Sequence, residues 1–249
     1  MTGIMMAVLN SVAQPVPVTA GLMYYIDAGN TDSYPGSGSS MNNIAGTAAG
    51  AATVANGPTF TSAGTGSYFS FNGTTQVVYT ANMLSLFTGP TNKNLTIETW
   101  VRTSTDNGVV ISEQGNSPIN SGWHTSEQEI VSGNLRVRVW AQPTPPNLLV
   151  GAVTRNQWQQ YVLTYDNATT TLRGYINGST TTSASVTREV PWENGAPVLY
   201  YALMVADSTN MGDGSSLAGD WALCKIYNRA LSQSEVNQNF EATKGRYGL

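Results

Sequence analysis

The sequence predicts an all-β sandwich closed by one short helix, and three observations carry that prediction. From residue 21 to 228, short runs rich in Val, Ile, Thr, Tyr and Trp are separated by clusters of Gly, Asn, Pro and Ser, the spacing of a two-sheet β fold. Charged residues make up 10% of the chain while Thr, Ser, Asn and Gly fill the polar positions, a mixture that favours strands and tight turns over helices. After the last run, the segment LSQSEV carries a complete helix start: Ser232 as N-cap, Glu235 reaching back to it, and Leu231 with Val236 as a hydrophobic staple.

Taken in order, an apolar, uncharged stretch at residues 1–20 ends in Pro15 and Pro17 and reads as an arm. It has no basic n-region and is too short to span a bilayer, so neither a signal peptide nor a membrane anchor is expected. Strands are then expected at 22–27, 67–72, 76–80, 95–102, 108–113, 134–141, 158–165, 171–176, 198–205 and 218–228. Residues 29–66, rich in Gly, Ala and Ser, read as a long surface excursion. Asn177-Gly178 is a two-residue hairpin signal, because a type I′ turn needs positive φ at both positions. Gly245 is expected to stop the terminal helix. No fixed period recurs, which disfavours propellers and solenoids.

Five segments run in the order SYFSFNGTTQVVY, LTIETWVR, RNQWQQYVLTYD, TLRGYINGS and GDWALCKIYNRALS. Together with the terminal helix they resemble the laminin G-like, concanavalin A-like jelly-roll domains, particularly those of tailed-bacteriophage structural proteins. The resemblance implies a jelly-roll β-sandwich over 21–249 with the arm at 1–20. It further implies a non-enzymatic virion structural protein, a capsid decoration (cement) protein that stabilises the shell through its arm. The alternatives are a tail or fibre component, or a carbohydrate-binding, lectin-like adhesion module. Implied partners are the phage major capsid protein or other virion proteins, further copies of the chain in a homo-oligomer, and a surface glycan. The implied location is the outer capsid surface after assembly in the host cytoplasm. Ile4, Met5, Met6, Val8, Leu9 and Val12 would be the arm's contact residues, held against another chain or the domain's own sheet. One departure from the family is Gly219-Asp220-Trp221-Ala222-Leu223, where relatives often carry further acids, so a rim site built on those acids is not expected.

Period-2 alternation puts Trp100 and Arg102 opposite Leu95, Ile97 and Val101, Arg136, Arg138 and Trp140 opposite Leu135, Val137 and Val139, and Arg173 and Tyr175 opposite Leu172 and Ile176. If these strands share a sheet, Trp100, Arg102, Arg136, Arg138, Trp140, Arg173 and Tyr175 form an Arg- and aromatic-studded face able to hold a glycan or a protein. The competing reading is a solvated outer face on which long arginines cover apolar rings.

Hydrolysis of a glycoside needs two carboxylates in unlike environments. The alternation from Glu98 runs to Trp100 and Arg102, and Glu127 with Glu129 reads as a solvated loop edge, so no catalytic set is expected. His124 is the sole histidine and no GxSxG occurs. Cys224 is the sole cysteine, read as a small buried hydrophobe, so disulfides, thiolate metal clusters and cofactors are not expected. A minority calcium reading attaches to Asp207, Asn210 and Asp213, oxygen donors in a Gly-containing loop. The net charge of −4 offers no basic field for nucleic acid.

Overall fold

The structure is a computed structural model and describes residues 15–87, 93–115, 124–141, 146–196, 198–204 and 216–249. Among these the chain forms β1 (Leu22–Asp27), β2 (Ser40–Met41), β3 (Ala52–Ala55), β4 (Thr59–Thr61), β5 (Tyr68–Asn72), β6 (Val77–Tyr79) and a one-turn helix α1 (Leu84–Phe87). There follow β7 (Leu95–Arg102), β8 (Gly108–Gln114), β9 (His124–Val131), β10 (Asn134–Val137), β11 (Leu148–Ala152), β12 (Gln159–Asp166), β13 (Thr171–Ile176) and β14 (Ser179–Ser185). The last elements are β15 (Tyr200–Leu203), β16 (Ala218–Tyr227) and α2 (Gln233–Thr243).

Two antiparallel sheets face each other. The first runs β14-β13-β12-β7-β16-β5-β4 with β1 also paired to β16, and the second runs β11-β10-β9-β8-β15-β6-β3-β2. Inward-facing residues of both, such as Ile97 and Leu163 from the first and Leu135 and Val137 from the second, meet in one apolar core. A polar stitch crosses it: Gln128 on β9 donates to the Ile97 carbonyl at 3.0 Å and accepts from the Thr99 hydroxyl at 2.7 Å. The expected sandwich is therefore present.

β16 is shared unequally along one edge. Its second half, Leu223 to Tyr227, pairs with β1, while its first half, Ala218 to Trp221, pairs with β5. β1 thus peels away where β5 takes over, and the first sheet splits at that point.

α2 begins as the sequence predicts. The Ser232 hydroxyl accepts from the Glu235 amide and the Glu235 carboxylate accepts from the Ser232 amide at 2.8 Å, while Leu231 and Val236 share one buried cluster. Its end differs. Gly245 does not stop the helix; α2 ends at Thr243 and passes into a 3-10 turn, Lys244–Tyr247, closed by Gly248 at φ +78°. Asn177 and Gly178 take φ of +51° and +76°, the expected hairpin corner.

α2 packs across the outer face of the first sheet. Asn239 is its pin: the side chain donates to Glu98 at 2.7 Å and to the Tyr227 hydroxyl at 3.0 Å, and accepts from the Val18 amide at 2.7 Å. Lys225 pairs with the same Glu98 at 3.2 Å, so this buried charge is matched.

Residues 29–66 correct the expectation of a surface excursion. They supply β2, β3 and β4 and bury Tyr34, Met41, Ala52 and Val54 in the main core. Most of the small residues between those anchors stay exposed, as at Gly36 to Ser40 and Ser62 to Gly64, so the segment joins the core at a few points along an otherwise solvent-facing path.

Candidate functional site

The split in the first sheet opens a cleft of about 580 Å³, within the usual range for small-ligand sites. The end of β1 and its following turn (Asp27, Gly29, Asn30, Thr31) form one wall, and Phe60, Ser62, Thr65 and Ser67 around β4 and β5 form the other. Arg246 enters from the terminal 3-10 turn and closes the floor.

That floor is a saturated ion pair. One Asp27 oxygen accepts from the Gly29 amide at 2.8 Å and from Arg246 at 2.6 Å; the other accepts from the Tyr25 hydroxyl at 2.7 Å and from Arg246 at 2.7 Å. The Arg246 Nε donates to the Thr65 carbonyl at 2.7 Å. Burial, followed by the charge of Asp27, pushes the Tyr25 phenol up, so it remains the donor in this network. Gly29 is required by the approach: a Cβ there would stand 2.1 Å from the Thr65 carbonyl oxygen. An aromatic wall rises above, with half-buried Phe60 set edge-on to Tyr34 at 4.9 Å and tilted against Phe69 at 5.3 Å.

The face expected from alternation is not assembled. Arg136 and Arg138 belong to β10 and the residue after it, in the second sheet, whereas Trp100, Arg102, Arg173 and Tyr175 belong to the first. Trp100 is fully buried because α2 and the turn after it dock there; it stacks on Phe240 and on Tyr247 at 4.3 Å. Tyr175 is buried beside Val236 and Leu231. Arg102 lies over the rings of Tyr68 and Trp158 at 5.0 and 5.1 Å and pairs with Asp220 at 2.7 Å, while Arg173 is half-buried on β13 opposite Ser183. Trp140 donates to Glu189 at 3.2 Å.

Glu127 and Glu129 also correct the sequence reading. Instead of a solvated loop edge they occupy the middle of β9, fully buried between β8 and β10. Glu129 pairs with Arg136 at 2.7 Å and with Arg138 at 3.2 Å. Nearby, Glu113 pairs with Arg188 and accepts from the Tyr201 hydroxyl at 3.0 Å. Glu127 has only Arg188, at 4.0 Å, and neither of its oxygens meets a hydrogen-bond donor among the described residues. Burial and then the charge of Glu113 hold its carboxyl well above the usual range, against Arg188 and Arg138.

Cys224 is buried in the core, where burial raises its thiol, as a small hydrophobe would sit. His124 opens β9 rather than lying in a loop. The arm residues Ile4, Met5, Met6, Val8, Leu9 and Val12 and the calcium candidates Asp207, Asn210 and Asp213 lie outside the described residues. Among the described residues no cluster of His, Cys, Asp and Glu could hold a metal ion, and no helix is long and apolar enough to cross a membrane. Sequence reasoning missed Asp27, Phe60 and Arg246. The one local signal was the density of turn formers after Asp27.

A family model described as concanavalin A-like lectin/glucanases superfamily, Laminin_G_3, matches residues 71–237. No curated protein matches. Among solved structures, the receptor-binding domain of botulinum neurotoxin C/D mosaic serotype aligns with a TM-score of 0.62 at 15% identity, over 90% of this chain and 52% of that one. The binding domain of botulinum neurotoxin serotype D/C aligns with a TM-score of 0.65 at 14% identity, over 90% and 52%. Trypanosoma rangeli sialidase in complex with sialic acid aligns with a TM-score of 0.63 at 15% identity, over 95% and 36%. The chain therefore spans about half of each toxin domain and about a third of the sialidase chain. At these identities the likeness is one of fold.

Proposed function

Starting from the fact that this chain belongs to the Laminin_G_3 family of the concanavalin A-like lectin/glucanases superfamily, we propose that it is a carbohydrate-binding module that acts by recognition without turnover. Its ligand seats in the cleft at the split of the first sheet. The observation that carries this reading is the pairing, in one cleft, of a half-buried aromatic ring at Phe60 with a rim of hydroxyl and amide groups over the Asp27–Arg246 floor. Sugars present an apolar C–H face and a polar edge, and this wall and rim offer a counterpart to each. The non-hydrolytic part of the reading draws on the acids of β9, which lie in the sheet interior instead of lining an open groove.

A glycan array followed by NMR titration of a bound hit tests it. Wild-type protein should bind, with shifts confined to Asn30, Thr31, Phe60 and Thr65, and Phe60→Ala should lose binding while keeping its fold. Shifts confined to the distant second sheet would refute the cleft.

A second reading, as a tailed-phage capsid decoration protein that assembles as a homo-oligomer on the major capsid protein, is favoured by one observation. The segment preceding β1 is clamped onto the domain: the Val18 carbonyl accepts from Tyr227 at 3.0 Å, the Val16 carbonyl from Gln238 at 2.6 Å, and the Ala20 carbonyl from Arg229 at 2.7 Å. Such a clamp fixes the point from which an arm would depart. Deleting residues 1–14 leaves the clamp intact; capsid binding and sedimentation mass unchanged by that deletion would remove this reading.

A further inference from the structure

The hydrogen-bond accounting of the cleft narrows the chemistry of what it takes. Resting on the carbohydrate reading above, we infer that the ligand is an uncharged oligosaccharide bound without a calcium ion.

Asp27 is the cleft's one acid, and each of its oxygens already accepts two hydrogen bonds. A carboxylate offers about four acceptor positions in all. Calcium would need six to eight oxygen ligands with carboxylates among the strongest, and Asp27 could ligate it only by giving up Arg246, a partner it holds while nearly fully buried. Recruiting a metal here means dismantling the floor.

Arg246 is the cleft's one base, and its charge is matched by Asp27 at 2.6 Å. A carboxylate or sulfate on the ligand would therefore enter beside an existing carboxylate with its only cationic partner committed. Unmatched anions in a partly dehydrated cleft are disfavoured. Three of the five guanidinium N–H groups are used by Asp27 and Thr65, leaving two to donate. A hydroxyl oxygen can accept from them without adding charge.

The remaining polar groups point to the same ligand. The hydroxyls of Thr31, Ser62 and Thr65 and the side-chain amide nitrogen of Asn30 line the cleft and are not taken up by any group among the described residues. Hydroxyls both donate and accept, which suits a polyol whose own hydroxyls do the same. Gly36, at φ +96°, stands beside this ring: a Cβ there would lie 3.9 Å from Phe60 Cε1, in ordinary van der Waals contact, and the glycine leaves that contact unfilled.

The test is isothermal titration of the full chain with two panels. One holds neutral gluco-, galacto- and manno-oligosaccharides; the other holds sialylated, sulfated and uronic-acid oligosaccharides. Each is run in millimolar calcium and in EDTA. We expect a neutral ligand to bind with affinity equal within about two-fold in both media, the analogue carrying one negative charge to bind at least about ten-fold more weakly, and Thr31→Val and Ser62→Ala each to weaken binding about five-fold, the equivalent of one net hydrogen bond. Binding confined to acidic glycans, or lost in EDTA, and abolished by Phe60→Ala would overturn this inference and leave the carbohydrate reading standing. Absence of binding to both panels in both media would overturn the carbohydrate reading itself.

Discussion

The floor of the cleft and the acid cluster of the second sheet are built from the same chemistry, buried carboxylates against arginines, yet they differ in how many donors reach each carboxylate. Asp27 receives four hydrogen bonds from three groups and is saturated. In the cluster, Glu129 draws Arg136 and Arg138, Glu113 draws Arg188 and Tyr201, and Glu127, among the described residues, has Arg188 at 4.0 Å and no hydrogen-bond donor on either oxygen. Burial alone does not decide what a carboxylate does. The donors within reach decide it, so the saturated pair can serve as a rigid floor for a ligand while the unevenly served cluster holds a carboxyl whose ionised form is disfavoured.

The most severe way to test this contrast is to remove the donor on which the cluster depends. Arg188→Met leaves Glu113 and Glu127 buried without their cation, and should cost about 3–5 kcal/mol in chemical denaturation. The double variant Arg188→Met with Glu113→Gln should recover much of that loss, because the stranded charge is gone. A single variant as stable as the wild type would erase the distinction drawn between the two regions.

Glu127→Gln sharpens the contrast through pH. Because the folded carboxyl titrates above its ordinary value of 4.5, its contribution to stability is complete below about pH 4.5 and is lost as pH rises through the folded value. Over that window the wild type should lose up to about 1.4 kcal/mol per pH unit from this group. The glutamine variant, with no proton to lose, should show a flatter profile and exceed the wild type in stability at neutral pH. Parallel profiles for the two proteins would mean that Glu127 is ionised in the fold.

How these features were visible in the sequence follows from the range of the interactions that make them. Strands 95–102 and 171–176 keep the bounds the sequence predicts, and the Asn177-Gly178 corner and the Ser232–Glu235 box form as expected, because each is specified within a few residues. Alternation correctly divided β7 into two faces but carried no information on what covers the outer one, and α2 buries Trp100 there. The polar string of β9 reads as a loop since the arginines that make its burial tolerable come from β10 and from Arg188. Asp27 and Arg246 are 219 residues apart, so no local pattern could join them into a site.

At the cleft, Asp27→Asn removes the charge and leaves one carbonyl oxygen, which can accept from Gly29 or from Tyr25 but not from both, because the two meet different oxygens. Arg246 keeps its bond to Thr65 and some access to water. The loss should accordingly be smaller than for Arg188→Met, about 1–3 kcal/mol, read by the same denaturation curves. Ligand affinity should fall more than stability does, since the floor would no longer be held in one geometry. Equal losses for Asp27→Asn and Arg188→Met would show that saturation makes no difference.

The smallest expected effect extends the comparison to a third acid. Glu235 lies at the mouth of α2, where Arg229 at 2.7 Å comes first in lowering its carboxyl to about 2, burial opposes this, and the Ser232 amide adds to the lowering. Its sign is the reverse of that of Glu127: a depressed folded value gives stability that is present above the ordinary 4.5 and is lost as pH falls toward 2. The pair sits near the surface, so screening makes the ionic part small, and the capping bonds are the larger share. Ser232→Ala should cost about 1 kcal/mol at neutral pH, and Glu235→Gln should flatten the limb below the ordinary 4.5 without changing the limb above it that is assigned to Glu127. If one substitution moves both limbs, the two acids are coupled through the first sheet, and counting donors around each carboxylate separately is no longer sufficient.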